Sequence, residues 1–194
     1  MKSLKDRFEE SYAAVEKPAN NKDGFKIEYV YYAPWYIWDR PEGELKKTKI
    51  TFLAATIASL ICFIIAGAQR CMQNTTFVVA VPGILSLCAH VFELFAIAQF
   101  AAAKYKTTKM TYNDVHRIMT VAPAFRVGMM VISSVGCIYY MFTKEMSYPA
   151  MIALLGFASC GMIATYLYRE YKKIPLRTER NWTLEELAKE GRLH

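Results

Sequence analysis

Four long stretches of the chain carry almost no charge and alternate with segments rich in Lys, Arg, Asp and Glu. The first, Ile50–Gln69, is a run of twenty uncharged residues. A helix rises about 1.5 Å per residue, so this run matches a hydrocarbon core of about 30 Å. The second, Phe77–Ala103, contains one acid, Glu93; the third, Ile118–Phe142, contains one base, Arg126; the fourth, Ser147–Tyr168, contains neither. The runs are apolar all round, whereas the core helices of a soluble protein are usually shorter and keep a polar face. The pattern therefore predicts an all-α integral membrane protein built as a four-helix antiparallel transmembrane bundle, with spans at about 50–69, 77–103, 118–142 and 147–168. The short connections favour antiparallel neighbours. Pro82, Pro123 and Pro149 fall in the first turn or two of their segments, where a missing N–H costs least.

The flanks predict a cytoplasmic or interfacial segment over 1–49 and a cytoplasmic tail over 169–194, each with a short amphipathic helix. In Ser3–Glu16, Leu4, Phe8, Tyr12 and Val15 recur at helical spacing, and Ser3 or Asp6 can cap the start. The turn-rich stretch from Lys17 to Gly24 ends that helix. In the tail, Thr183 and Glu186 have the spacing of a capping box, and Trp182 and Leu187 that of a hydrophobic staple. So much local specification predicts a helix that docks on the protein's own cytoplasmic face, on a partner or on the bilayer.

Between these lies an aromatic segment: six of the ten residues from Tyr29 to Trp38 are Tyr or Trp, namely Tyr29, Tyr31, Tyr32, Trp35, Tyr36 and Trp38. Their rings are part apolar and part hydrogen-bonding, which suits the headgroup layer, and Lys46, Lys47 and Lys49 follow at the expected lipid boundary. The alternative is an aromatic clamp for a ligand or partner chain.

Composition sharpens this picture. Hydrophobic residues make up 54% of the 194 and charged residues 21%, which excludes a disordered chain, a collagen-like repeat and a disulfide mini-protein. Of the 24 Lys and Arg, ten lie in 1–49, four in 104–117 and seven from Arg169 onward, against one each in the other two connections. The positive-inside rule then places both termini and the central connection in the cytoplasm, which four spans allow. The net charge of +7 is a topology signal and not a nucleic-acid footprint, because the basic N-terminal segment also carries nine acids. The first apolar run begins only at Ile50, behind a long charged segment, which predicts a retained anchor and not a removed leader.

Candidate chemistry is sparse. The five cysteines form no C-x-x-C pair, and four lie within spans, where Cys usually packs as a small apolar residue. Neither a metal site nor a disulfide is expected, and no cofactor. Phosphate-loop, dinucleotide, nucleophile-elbow and zinc-protease motifs are absent from the sequence. Asn74-Thr75-Thr76 fits a glycosylation sequon on the outer side. Ala54, Ala58 and Ser59 in the first span, and Ala153, Gly156, Ser159 and Cys160 in the fourth, form small-residue stripes suited to close helix packing or to an oligomer.

One constellation stands out. His90 and Glu93 share a face of the second span with Ser86, and Ser133 extends the Arg126 face of the third. Glu93 is eleven residues from Lys104, about 16 Å along a helix, and Arg126 is nine residues from Arg117, about 14 Å. Both are counted from the same membrane edge, so the two charges fall at nearly one level and an ion pair is expected. Charges in hydrocarbon face the bundle interior, where they fix helix register or respond to protons and ions, and a histidine such as His90 is of the type able to titrate near neutral pH. The expectation is a non-enzymatic subunit, scaffold or regulator of a membrane complex. A small oligomeric transporter or channel using the His/Glu/Arg cluster is the alternative, and an intramembrane enzyme acting on lipid or quinone ranks last. The expected partners are the bilayer and either further copies of the chain or another membrane protein.

Overall fold

In a computed structural model, residues 4–18, 25–144, 146–181 and 186 are described. Most of them are helical, and four helices are long and apolar enough to cross a membrane. In chain order the elements are α1 (Leu4–Glu9), β1 (Tyr12–Pro18), β2 (Phe25–Tyr31), β3 (Trp35–Trp38), α2 (Glu42–Gly67), α3 (Met72–Thr75), α4 (Phe77–Ala102), β4 (Lys106–Thr107), α5 (Lys109–Thr143), α6 (Tyr148–Lys172) and β5 (Leu176–Glu179). The chain divides into two compact units: residues 1–39, 103–114 and 175–194 form one, and residues 40–102 with 115–174 form the other.

The first unit corrects the expected N-terminal helix. Helix α1 ends at Glu9, and Tyr12–Pro18 is a strand paired antiparallel with β2, Tyr12 opposite Tyr31 and Pro18 opposite Phe25. The physical reason is a period of two: Ser11, Ala13 and Val15 are buried while Ala14 is exposed. Leu4, Phe8, Tyr12 and Val15 also fit helical spacing, and the long-range pairing with β2 decides between the two. A second, three-stranded sheet has the order β4-β3-β5, all antiparallel. It joins pieces of chain from before α2, between α4 and α5, and after α6. The tail from Arg169 continues α6 to Lys172 and then forms strand β5, paired along β3 with Leu176 opposite Trp38. Trp182, Thr183 and Leu187 lie outside the described residues; the Glu186 carboxylate accepts a hydrogen bond from Arg180 Nη2 at 3.0 Å.

In the second unit the helices overrun the apolar segments. Pro41, followed by Glu42 and Glu44 in the first turn, starts α2 eight residues before Ile50. The charged positions between are good helix formers, so a charge marks a membrane boundary and not a helix boundary. Helix α5 likewise begins at Lys109, where Thr108 Oγ1 accepts the N–H of Thr111 at 3.4 Å as a weak N-cap. Pro123 therefore sits well inside α5 and not near its start, leaving the Met119 carbonyl without its helical donor.

Each long helix buries one stripe. On α6 it is Ala150, Ala153, Phe157, Cys160, Ala164, Leu167 and Tyr171, alternating three- and four-residue steps as a coiled-coil seam does. Helix α2 packs most extensively on α6 and next on α4. The α2 stripe runs through Phe52, Thr56, Ser59 and Ala66, so of the small residues expected to pack on that helix Ser59 is buried within the unit while Ala54 and Ala58 are exposed. The opposite faces are strongly apolar: Phe77, Phe95, Phe142, Leu155 and Met162 are each at least 65% exposed. An apolar surface of this kind would be a liability in water and suits a lipid surround.

Between α2 and α4, Asn74 acts as a cap and not as an open acceptor site. Its Nδ2 donates to the carbonyls of Ala66 at 2.8 Å and Gln69 at 3.0 Å, with Gly67 at 3.4 Å. Ala66 and Gly67 are the last residues of α2, and the Ala66 and Gln69 carbonyls also accept the backbone N–H groups of Gln69 at 3.4 Å and Cys71 at 3.0 Å. Asn74→Ala is expected to lower stability by about 1–2 kcal/mol, measured by thermal or denaturant unfolding in detergent. An unchanged midpoint would show that solvent satisfies those carbonyls equally well.

Candidate functional site

The stripes of α2, α4 and α5 each place polar groups at one level of the helical unit. Position 93 follows 86 and 90 by helical steps, so Ser86, His90 and Glu93 share the buried face of α4. Arg126 lies on the α5 stripe between Met119 and Met130. Glu93 is 0% exposed and Arg126 1%. The two meet: Arg126 Nη1 donates to Glu93 Oε2 in a buried salt bridge. Arg126 Nη2 donates to Ser59 Oγ on α2, so one guanidinium ties three helices together.

Ser59 is the member that sequence reasoning missed in this role, having been read only as a small packing residue. The signal was a hydroxyl on the stripe of Phe52 and Thr56. The Ser59 carbonyl in turn accepts from Cys160 Sγ on α6 at 3.2 Å, which extends the connected group to the fourth long helix. Thr56, also unassigned from sequence, is fully buried; its hydroxyl donates to the Phe52 carbonyl at 2.8 Å. His90 interacts with the backbone of Thr56. Ser133 is not brought into this group: its hydroxyl donates to the Val79 carbonyl at 3.3 Å, pinning α5 to α4 nearer the other end.

The polar layer is not fully saturated. His90 Nε2, Glu93 Oε1 and Arg126 Nε are buried and have no hydrogen-bond partner among the described residues. An acid, a base and an imidazole in this arrangement can neutralise one another, hold a shared proton or order an internal water. Among the described residues no three His, Cys, Asp or Glu side chains are placed to hold a metal ion.

The aromatic segment divides between the two sheets of the other unit. Tyr29 is exposed, Tyr31, Tyr32, Trp35 and Tyr36 are half-buried, and Trp38 is buried. The rings form a chain of contacts: Tyr12 against Tyr31 at 5.2 Å, Tyr31 against Trp35 at 4.5 Å, and Lys106 Nζ over the Trp35 ring at 5.3 Å. Tyr36 stacks on Tyr112 at 4.6 Å, close to Trp38. The Tyr31 hydroxyl donates to the Pro34 carbonyl at 2.7 Å and accepts the Lys109 N–H at 2.8 Å. Burial raises the Tyr31 phenol above its ordinary pKa, against the smaller opposing pull of that N–H. The segment is thus strand and sheet, cross-linked by its own rings.

No protein-family model matches the sequence, and neither a curated protein nor a solved structure matches it. The functional reading rests on the geometry alone.

Proposed function

We propose that the protein is a four-helix antiparallel membrane bundle that serves as a non-enzymatic subunit or scaffold of a membrane complex, with both termini and the α4–α5 connection in the cytoplasm. The observation that carries this reading is the buried Glu93–Arg126 pair in the polar layer. Glu93 and Arg126 neutralise each other away from solvent, and the Arg126 guanidinium is also held by Ser59. A pair of this kind fixes the register of helices and specifies one arrangement. The topology is supported by the sheet β4-β3-β5, because strands from three separate segments pair only when all three emerge on one side of the bilayer. Those are the segments in which Lys and Arg are concentrated. Purification of the tagged full chain in mild detergent is expected to bring a stoichiometric membrane partner or a defined oligomer. A monomer that always emerges alone would overturn the reading.

A second reading, a small oligomeric transporter or channel, is favoured by the three orphaned atoms on His90, Glu93 and Arg126. Intramembrane ionisable groups that lack partners commonly mark proton or ion paths. Vesicles containing the purified protein and carrying proton and ion indicators distinguish the two. The scaffold gives no flux between pH 5 and 8, while flux from the wild-type chain that is lost in a stably folded Glu93→Gln/Arg126→Met variant supports the transporter.

A further inference from the structure

The surface of the helical unit carries a groove between α4 and α5 of about 230 Å³. Its walls are Ala89 and Phe92 from α4 and Val121, Ala122 and Phe125 from α5, with Arg117 at one end. Arg117, Val121 and Phe125 follow at steps of four, so they line one stripe, with Phe125 about 12 Å along the axis from the arginine. Phe92, Val121 and Phe125 are 61%, 62% and 43% exposed, so the groove opens outward. Arg117 is the last charge before the apolar run that begins at Ile118, which sets it at the level where hydrocarbon gives way to headgroups. It is exposed, and among the described residues it forms no ion pair.

We propose that this groove binds an anionic glycerophospholipid, with the phosphate on Arg117 and an acyl chain lying along Val121 and Phe125 against Phe92. Two features on one stripe select this occupant. A single uncompensated guanidinium matches a phosphate that has no internal cation, and the walls below it offer only apolar contact for about two helical turns. A soluble anion would gain nothing from those walls, and a zwitterionic lipid brings its own cation to compete with Arg117. The site is independent of the scaffold role, because it needs only that α4 and α5 face lipid.

The test is a thermal-shift titration of the full chain in mixed micelles with phosphatidylglycerol, with phosphatidylcholine of the same acyl chains, and with inorganic phosphate. The expected result is stabilisation by phosphatidylglycerol at concentrations about ten-fold below those needed for phosphatidylcholine, and none by phosphate. Arg117→Gln is expected to weaken phosphatidylglycerol binding about ten-fold and erase the preference. Lys47→Gln, a cation removed from α2, is expected to keep it. Ala89→Trp, which fills the groove while leaving Arg117 in place, is expected to lose binding of both lipids, and carries the test if Arg117→Gln does not fold. Preference retained in Arg117→Gln or in Ala89→Trp overturns the proposal. So does stabilisation by inorganic phosphate equal to that by phosphatidylglycerol, which would identify a plain anion contact.

Discussion

Glu93→Gln is expected to destabilise the helical unit by about 3–5 kcal/mol, because it leaves Arg126 buried with its charge uncompensated. The replacement keeps nearly the same shape and can still accept a hydrogen bond, so the loss is electrostatic and not a cavity. Arg126 is 1% exposed and has only Ser59 as its other partner among the described residues, and a hydroxyl dipole cannot replace a carboxylate. Glu93→Gln combined with Arg126→Met removes both charges and is expected to recover a substantial part of the loss, since a buried pair exchanged for apolar groups is often near neutral. The measurement is a double-mutant cycle on thermal or denaturant unfolding in detergent. A coupling near zero would mean that water enters the layer and screens the two charges from each other. The same cycle bears on function: a stable double mutant that still recruits its partner supports a register role, and a stable one that loses proton or ion flux supports transport.

Gly156→Leu is expected to separate α2 from α6 and to prevent the native packing of the unit. A Cβ on Gly156 would stand 2.7 Å from Ala66 Cβ and 2.9 Å from the Cys62 carbonyl oxygen. The second of these is backbone, which cannot turn aside, so even Gly156→Ala must push two helices apart and is expected to cost about 1–3 kcal/mol. Leucine adds three more carbons to the same space. Gly161, five residues further along α6, provides the comparison: a Cβ there meets Met130 Cβ at 3.3 Å, a tight contact that asks its neighbour to give by only a few tenths of an ångström. Gly161→Ala is therefore expected to cost less than Gly156→Ala. Equal melting temperatures for the two variants would show that the α2–α6 seam is looser than these distances require.

Several parts of the fold were legible from residue patterns. The four long helices follow from charge-free length, since a helix satisfies its own backbone within lipid and nothing else in the chain is needed to specify it. The matching depths of Glu93 and Arg126 needed only the helical rise and a shared membrane edge, and the structure joins the two side chains. Helix ends were less legible, because Glu42, Lys46 and Lys109 are at once charged and good helix formers. A hydropathy boundary therefore falls inside the helix and not at its end.

What the sequence by itself determined about this protein is the set of segments suited to hydrocarbon, the asymmetry of Lys and Arg between their two sides, and the level of the two intramembrane charges. All three depend on local composition and on one dimension, distance along a helix. The tertiary structure alone decided that Tyr12 and Val15 belong to a strand. It also decided that Trp35–Trp38 lies between β4 and β5, that Asn74 is consumed in capping α2, and that Ser59 is the second partner of Arg126. Each of these depends on a partner distant in sequence, and the spacing of one segment carries no information about the segment it will meet.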